Sequence, residues 1–488
     1  MRVKRSSALA QMVAVSAISL LGGGAAAAAP VAAAALRLIP DATGHIVVDQ
    51  QFPAPPTTAE CEQELGFACY EPFQLQRAYD LQPLFDRGIN GRGETIVIVD
   101  AFGSPSIASD LQTFDQTFGL PAPPSFNVIT PEGAPGPASA CGNDPFGCSD
   151  YYGWTDETSL DVEWSHVIAP QANILLVETP TSETEGIQGF PDIIAAENYV
   201  IDHHLGDVIT QSFGATEQTF TSPAQIYSLR SAYENAAAHG VTVLAASGDQ
   251  GSTDYLSSLT CCYATPAIDW PSSDPLVTAV GGTQLHLDAQ GYATSPASVW
   301  DDPSTLFVPG PEYTWGASGG GHSTIFSRPS FQDGVARVVG NQRGTPDISM
   351  SAAVNGAVDF YDTTDPSLSP GWSLVGGTSE ASPLFSGIVA LADQVAGHSL
   401  GYLDPELYRI AEQPFSGIVP VTQGNNTFTF CNAADVSATT GACASSSDLT
   451  TVPGFQADGF YNDATGWGTV DAAQFVPALA RGAGPPFF

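Results

Sequence analysis

Ser379 lies where a serine can act as a nucleophile, between a glycine-rich turn and an apolar helix. Residues 376–383 read Gly-Gly-Thr-Ser-Glu-Ala-Ser-Pro, and the pattern that follows predicts a buried helix over 381–396. The N-terminus of a helix offers unpaired backbone N–H groups and a positive dipole end, which stabilise a developing oxyanion. The ordinary alternative is a serine that caps the helix. The surrounding groups decide between the two.

A serine nucleophile needs a base, and two carboxylates offer one. Glu157 and Asp161 are four residues apart, so on a predicted helix over 157–168 they share one face and can share a hydrogen bond. Two like charges this close do not ionise together readily, so the pair keeps one proton over a broad acid range. Such a pair can accept the serine proton at a pH at which an imidazole is already charged. The alternative is a helix-capping carboxylate followed by a solvated helix face.

Asp249 is the third candidate, in a Ser-Gly-Asp segment directly after a predicted strand over 241–245. A carboxyl at the C-terminal end of a parallel strand points into the ligand crevice. If it is protonated, Asp249 becomes a hydrogen-bond donor that can stabilise an oxyanion beside Ser379. The alternative is an ordinary aspartate in a turn.

The elements that must position these side chains alternate along the chain. Apolar, β-branched runs predict strands at 94–100, 174–177, 207–210 and 241–245. Helical patterns lie between or beside them, at 106–118, 157–168, 191–203 and 223–239. Segments rich in Gly, Pro, Ser and Asn predict loops at 125–153, 285–320 and 423–458. Strands that alternate with helices indicate an α/β fold with a doubly wound, mainly parallel sheet and helices on both faces.

The charge balance is strongly acidic, with 51 acidic residues against 13 basic ones. Lys4 is the only lysine, which excludes a Ser–Lys catalytic pair from the mature chain. The chain has too few cations to neutralise a row of phosphates, so neither nucleic acid nor an anionic membrane is expected as a partner. The protein is expected to be a monomer. At acid pH many carboxyls are protonated and their mutual repulsion fades, so the composition favours adaptation to acid over adaptation to salt.

The N-terminus predicts export. Basic residues at positions 2, 4 and 5 precede an apolar run over 8–21 and a run of small residues over 22–29. This order is typical of a cleaved signal peptide and not of a membrane anchor. We therefore expect a secreted protein with a signal peptide at 1–29, a short leader or N-terminal arm at 30–68, one large domain at 69–478 and a tail at 479–488.

Eight cysteines fit an oxidising compartment. Their most local pairing is Cys61/Cys69, Cys141/Cys148, Cys261/Cys262 and Cys431/Cys443, although the adjacent pair can also bond elsewhere. A zinc site is not expected, because no Cys-x-x-Cys and no paired Cys/His spacing is present.

The segments around Glu157, Asp249 and Ser379, taken in their order along the chain, resemble the sedolisin (serine-carboxyl peptidase) branch of the subtilisin-like peptidases. Gly-Thr-Ser-x-Ala-Ser-Pro is shared with subtilisin-like peptidases broadly, whereas Glu157-x-x-Leu-Asp161 with a following Ala-Pro, and Ser-Gly-Asp249, are similar to the sedolisin pattern. The resemblance runs from residue 69 to 475. Supporting matches are Ser212-Phe213-Gly214 with Glu217, Gly319-Gly320-Gly321 before Arg328-Pro329, and Arg343 with Pro346-Asp347.

The resemblance implies a subtilisin-like fold and a secreted serine-type peptidase that cleaves proteins or peptides at acidic pH through an acyl-enzyme. Ser379 would be the nucleophile and Glu157 its general base. Asp161 would be the partner of Glu157, and Asp249 would be the acid of the oxyanion hole. The domain over 69–478 would then be the peptidase domain.

The chain also departs from the family pattern. Asp100 and Phe213 stand where some relatives have a Glu and a Trp that extend the proton network, so that network is altered here. Family members usually carry a large pro-domain, whereas only residues 30–68 separate the predicted signal peptide from the predicted domain. Activation by removal of a large pro-domain is therefore not expected.

The calcium site of the family is eroded. Its first segment reads Pro-Val-Thr-Gln-Gly over 420–424, and its second aspartate is Asn462 or, with a shift of one residue, Asp463. Because proline supplies no carboxylate, calcium binding with the usual ligands is not expected, and no cofactor is predicted. A Cys431/Cys443 disulfide in this region would substitute for the metal.

A neutral Ser-His-Asp peptidase is a close alternative, with Asp100 as the acid. His166 lacks the glycine setting of a catalytic histidine, and the carboxylate pair would then have no role. Other histidines close predicted helices, where a C-terminal cation is the ordinary explanation: His203, His204 and His239.

A second alternative is a catalytically silent secreted binding protein on the same scaffold. Such a protein is expected to have lost a catalytic residue, and none of the four is lost here. A carboxylate-pair glycosidase is disfavoured, because two carboxylates on adjacent turns of one helix do not flank a sugar bond at the required separation.

Overall fold

The computed structural model describes residues 35–38, 45–137, 148–183, 185–258, 261–306, 310–366, 371–431 and 443–482. The strands are β1 (Ala35–Leu38), β2 (His45–Phe52), β3 (Cys69–Tyr70), β4 (Thr95–Ala101), β5 (Phe126–Ile129), β6 (Asn173–Thr179), β7 (Val208–Gln211), β8 (Ala215–Thr216), β9 (Thr242–Ala246), β10 (Asp269–Trp270), β11 (Thr278–Gln284), β12 (Ser298–Val299), β13 (Asp301–Pro303), β14 (Thr314–Ala317), β15 (Gly321–Ser327), β16 (Gln342–Thr345), β17 (Ile348–Ser351), β18 (Ala357–Asp362), β19 (Gly371–Gly377), β20 (Ile418–Val419), β21 (Phe428–Cys431), β22 (Leu449–Val452) and β23 (Thr469–Val470). The helices are α1 (Thr58–Glu64), α2 (Pro72–Ala78), α3 (Gln82–Phe85), α4 (Ile107–Phe118), α5 (Cys148–Ile168), α6 (Phe190–Asp202), α7 (Pro223–Leu229), α8 (Ser231–His239), α9 (Ala336–Val339), α10 (Thr378–Ala396), α11 (Asp404–Ala411) and α12 (Ala472–Gly482).

An eight-stranded sheet forms the centre of the fold, in the order β12-β11-β9-β7-β4-β6-β5, with β17 also paired to β11. All of its neighbouring pairs are parallel except β11 with β12. The predicted mainly parallel α/β sheet is therefore confirmed. The four strands predicted from apolar runs are β4, β6, β7 and β9, and they are neighbours in this sheet.

Helices cover both faces of the sheet, as β4 shows. Ile96 and Ile98 belong to the apolar cluster that contains the buried residues of α5 and α10. Val97 and Val99, which point to the opposite face, belong to the cluster that contains those of α6 and α8. A strand buried on both faces has a continuous apolar sequence without alternation, which is why these runs were recognisable.

Three polar residues lie at or just after the carboxyl ends of these parallel strands. Asp100 lies near the end of β4, opposite Glu178 of β6. Ser212 comes directly after β7, and Asp249 follows β9 by three residues. Because parallel strands end at the same edge of the sheet, these side chains converge there.

A second, five-stranded sheet has the order β1-β2-β19-β18-β3. Its strand β2 lies in the segment predicted as a leader or N-terminal arm, and it pairs antiparallel with β19, Val47 lying opposite Val375. Val47 and Val48 are fully buried in the same apolar cluster as α5 and α10. The arm is thus part of the sheet that leads into α10. At the other end, α12 continues to Gly482, inside the segment predicted as a tail, and Leu479 is fully buried.

Several local predictions are wrong: the segments predicted as loops also contain the strands β5, β12–β14, β21 and β22, and two predicted helices have other bounds. Helix α5 begins at Cys148, inside the predicted loop over 125–153, and residues 153–170 are all buried. A helix buried all round has no apolar stripe, so its start could not be recognised from periodicity. The helix predicted over 223–239 is two helices that break at Arg230, whose guanidinium holds Asp274 through two hydrogen bonds of 2.6 and 2.9 Å.

Disulfides join Cys61 to Cys69, Cys261 to Cys262 and Cys431 to Cys443, as predicted. Cys148 is also disulfide-bonded, and its predicted partner Cys141 lies outside the described residues. Among the helices of the described ranges, none is long and apolar enough to span a membrane.

Carboxyl groups are unusually frequent in the interior. Glu163, Glu197, Asp359, Glu380 and Asp393 are at most 1% exposed, and burial raises the pKa of each well above its usual value. Because a buried carboxylate is poorly solvated, burial favours the neutral acid form of each of these groups. The fold therefore takes up protons that the unfolded chain at the same pH releases.

We expect this proton uptake to make the protein most stable in acid. Between the carboxyl pKa of an unfolded chain, roughly 4, and the raised folded values, the folded state binds more protons, so stability falls as pH rises. For each proton that the folded state binds in excess of the unfolded state, the free energy of unfolding falls by about 1.4 kcal/mol for every unit that the pH rises. Tm measured from pH 3 to 8 should be highest at the acid end and fall above pH 5.

The exchange Glu197→Gln should make this pH dependence shallower, because the amide has no proton to lose. Glu64, which is exposed, provides the matched control, and Glu64→Gln should leave the slope unchanged. A Tm that rises between pH 5 and 7 would contradict the expectation.

Candidate active site

Ser379 is the second residue of α10, where β19 turns directly into the helix. Gly377 at this junction has φ +138°, a conformation that favours glycine. Pro383 lies four residues after Ser379 and has no N–H to donate to the Ser379 carbonyl in the usual helical bond. The hydroxyl of Ser212 lies 3.3 Å from that carbonyl oxygen instead. The first turn of α10 is therefore tied to the end of β7.

Glu157 lies in the middle of α5, and the side chain of Ser379 lies close enough to its carboxyl to lower the pKa of Glu157 against the effect of burial. The two helices approach closely, since a Cβ on Gly387 of α10 would lie 2.5 Å from Cβ of Ile168 on α5. A residue larger than glycine at this crossing would push the helices apart. The packing of α5 against α10 thus sets the contact between Glu157 and Ser379.

Asp161 lies one turn further along α5 and is hydrogen-bonded to Glu157. Its Oδ1 also accepts from the Ser212 hydroxyl at 2.8 Å. Both carboxyls are fully buried, and burial raises the pKa of each well above its usual value. The negative charge of Asp161 raises the pKa of Glu157 further. Two carboxyls in hydrogen-bond contact share a proton, so this pair carries at most one charge at acid pH.

Asp249 approaches the same helix from the end of β9. Its Oδ1 accepts hydrogen bonds from the backbone N–H of Thr378 at 2.8 Å and from the Thr378 hydroxyl at 2.7 Å. Burial raises the pKa of Asp249 well above its usual value, against these two hydrogen bonds, which lower it. Its buried Oδ2 has no hydrogen-bond partner within the described residues. A proton on Oδ2 is therefore not engaged by the protein there.

The structure brings the four predicted site residues together around the start of α10. Ser379, Glu157, Asp161 and Asp249 are each at most 1% exposed. Sequence reasoning gave no role to Ser212, which contacts both Asp161 and the backbone of Ser379. Its position just after a predicted strand was the signal that could have found it, because Asp249 follows a predicted strand in the same way.

Asp100 belongs to the same group of carboxyls. It is fully buried, and burial raises its pKa to about 7, against a hydrogen bond from Thr158. Its charge raises the pKa of both Glu157 and Asp161. Phe213, at the second altered position, packs with its ring centroid 6.1 Å from that of Trp154. The environment beside the pair is thus a carboxyl on one side and aromatic rings on another.

The histidines considered for a neutral triad are engaged elsewhere. His166 contacts the carbonyl of Pro121 at 2.8 Å and the carboxylate of Asp115 at 3.2 Å. His203 and His239 contact carbonyls of the last turn of their own helices, at 2.8 and 3.0 Å. These contacts favour a structural role for each of the three.

The residues at the remnant of the family calcium site make contacts within the protein. The side-chain oxygen of Asn462 accepts from the backbone N–H groups of Ala464 and Thr465, at 3.1 and 3.0 Å. Asp463 is paired with His322 at 2.9 Å. Within the described ranges, no group of three or more His, Cys, Asp and Glu side chains is arranged to hold a metal ion. The side-chain oxygen of Asn462 and one carboxylate oxygen of Asp463 are therefore already engaged by other groups of the protein.

Known proteins show the same pattern. A model of the subtilase family matches residues 143–408, more than half of the chain. Kumamolisin of Bacillus sp. (strain MN-32) is 32% identical over 371 residues, which is 75% of this chain and 59% of kumamolisin. Sedolisin of Pseudomonas sp. (strain 101) is 30% identical over 242 residues, 50% of this chain and 39% of sedolisin. The chain therefore spans less than two thirds of these relatives.

A solved structure is similar over nearly its whole length. Pseudomonas sedolisin, a serine-carboxyl proteinase in complex with two molecules of pseudo-iodotyrostatin, superposes with a TM-score of 0.62 at 25% identity. The match covers 84% of this chain and 97% of that one, and it confirms the predicted subtilisin-like fold. The chain belongs to the subtilase family, and within that family it is similar to kumamolisin and to sedolisin.

Proposed function

We propose that this protein is a secreted serine-carboxyl peptidase that cleaves proteins or peptides at acidic pH through an acyl-enzyme on Ser379. The observation that carries the proposal is the chain of buried side chains that lie against one another, in which Ser379 and Asp161 both act on the pKa of Glu157 and Asp161 accepts a hydrogen bond from Ser212. A helix-capping serine needs no such chain. A nucleophile that must lose its proton does need one.

Glu157 acts as the general base in this mechanism. As Ser379 Oγ attacks the substrate carbonyl carbon, its proton passes to Glu157, and the new C–O bond forms as the carbonyl π bond opens. The negative charge of the pair moves from the carboxyls to the substrate oxygen, so no net charge is created in the buried site. Glu157 then donates the proton to the leaving amine as the C–N bond breaks. Water repeats the sequence in the opposite direction to release the acyl group.

The oxyanion is stabilised from the other side of Ser379. The N-terminus of α10 provides backbone N–H groups and the positive end of the helix dipole. Asp249, anchored to Thr378 through Oδ1, provides a proton on Oδ2 as a second donor. A donor fixed in a buried site loses little reorganisation energy when the charge develops, which is the largest catalytic effect in acyl transfer.

Acidic working pH follows from these two requirements. The Glu157–Asp161 pair must have lost one proton to act as base, and Asp249 must have kept its own. Activity therefore falls at low pH, where the pair is fully protonated, and at high pH, where Asp249 ionises. Export is supported by the signal-type N-terminus and by the disulfides at Cys61–Cys69 and Cys431–Cys443.

Cleavage of a denatured protein should be fastest at acid pH and should depend on Ser379, Glu157 and Asp161. Ser379→Ala should abolish activity, and Glu157→Gln should lower kcat/KM by roughly 10²–10⁴-fold, because general base catalysis is lost. Asp161→Asn should lower it in the same direction. The assay is initial rate from pH 2 to 8.

Glu163→Gln is the matched control, since Glu163 lies on the same helix, is equally buried and also has a raised pKa, but contacts Tyr361. It should retain activity. A neutral optimum, or full activity in Glu157→Gln, would refute the carboxylate mechanism.

Independence from calcium is the second expectation. Dialysis against a chelator should change neither kcat/KM nor Tm, because the side-chain oxygen of Asn462 already accepts protein hydrogen bonds and Asp463 is paired with His322. Activity and thermal unfolding are measured before and after dialysis, with calcium added back as the control. A fall in Tm that calcium reverses would contradict this expectation.

A further inference from the structure

A second pair of buried carboxyls lies on the oxyanion side of Ser379. The side chains of Asp254 and Asp269 are hydrogen-bonded to each other. They are 4% and 7% exposed. A Cβ built on Gly248 would lie 2.6 Å from Oδ2 of Asp269 and 3.1 Å from Oδ2 of Asp254. Both carboxyls therefore press against the residue that precedes Asp249.

The surrounding structure holds the pair in place. Oδ1 of Asp254 accepts from the backbone N–H of Tyr255 at 2.7 Å. Asp269 lies in β10, which pairs antiparallel with β8 at Thr216. The backbone N–H and hydroxyl of Thr216 in turn bond to the carboxylate of Glu185, at 3.0 and 3.2 Å. The charge of this third carboxyl raises the pKa of Asp269 further, after burial and the effect of Asp254.

Two carboxyls can hydrogen-bond to each other only if one of them carries a proton. The groups that face Asp249 come from every element packed against it, and they are hydroxyls or other carboxyls: Thr378 and Glu380 from α10, Glu157 from α5, Asp254 from its own loop and Asp269 from β10. The charge on any one of these carboxyls opposes ionisation of the rest. The order in which they ionise therefore decides how long Asp249 keeps its proton.

We propose that Asp254 and Asp269 are positioning residues that take up the first negative charge on the oxyanion side and so keep Asp249 protonated as the pH rises. Burial raises the pKa of Asp254 to about 6, whereas burial and the charge of Asp254 together raise the pKa of Asp249 well above its usual value. The proposal rests on the proposed function, because Asp249 serves as the oxyanion donor only in that mechanism. The charge on Asp254 and Asp269 would thus extend the activity of the protein to higher pH.

The test is the upper limb of the pH profile of kcat/KM in Asp254→Asn, measured on a peptide with uncharged side chains. Removing the charge lets Asp249 ionise earlier, so the limb should move to lower pH by roughly one unit. Asp269→Asn should move it in the same direction. Asp254→Glu keeps a carboxyl and should restore the limb of the unmodified protein.

Asp393→Asn is the matched control, because Asp393 is equally buried but lies at the far end of α10, where it accepts from Leu400. Its limb should not move. Circular dichroism at pH 4 establishes that each variant is folded. At that pH the replaced carboxyl is a neutral acid, so the neutral amide changes no charge in the folded protein.

An unmoved limb in folded Asp254→Asn and Asp269→Asn would overturn the proposal. A rise in KM confined to substrates with Arg or Lys, with the limb unmoved, would also overturn it and assign the pair to substrate binding. Absence of Ser379-dependent cleavage in the unmodified protein would instead refute the proposed function. The two failures are therefore distinguishable.

Discussion

The crossing of α5 and α10 is the contact on which the rest of the site depends. Gly387 allows the two helices to approach, and this approach places Glu157 of one helix against Ser379 of the other. The apolar residues that drive the crossing belong to the largest core cluster, which also contains one face of the central sheet. A packing interaction between apolar surfaces therefore sets a polar contact in a buried site, where a hydrogen bond is electrostatically stronger than in solvent.

Burying so many carboxyls would cost much desolvation energy if they were charged, and protonation removes that cost because the neutral acid is buried instead. The charge of Asp100 raises the pKa of both Glu157 and Asp161, and the charge of Asp161 raises the pKa of Glu157, so the charged neighbours that act on the pair are other carboxyls. Cations would solve the same electrostatic problem at neutral pH, but they would also hold the pair ionised and remove its capacity to carry a proton. Stability and catalysis thus depend on the same condition, an environment acidic enough to keep part of the interior neutral.

The predicted fold was largely readable because its central strands are buried on both faces. Their continuous apolar runs, the Gly-Thr-Ser junction before α10 and the local cysteine pairs are all features of neighbouring residues. The arm was different. Nothing in the sequence of β2 indicated its partner β19, which follows it by more than 300 residues, because strand pairing over that distance is decided by what else the core contains. The start of α5 was missed for a related reason, since burial on every side removes the periodicity that marks a helix.

The sequence by itself determined which side chains are available and how they are spaced within one element. Glu157 and Asp161 share a face of α5 because an α-helix repeats every 3.6 residues. Only the tertiary structure decided the contacts between elements. Ser212 meets Asp161 across 51 residues of chain, Thr378 meets Asp249 across 129, and Asp254 meets Asp269 beneath Gly248. The physical reason is that spacing along a helix or strand follows from local backbone geometry, whereas these contacts exist only after apolar packing has fixed the helices on the sheet.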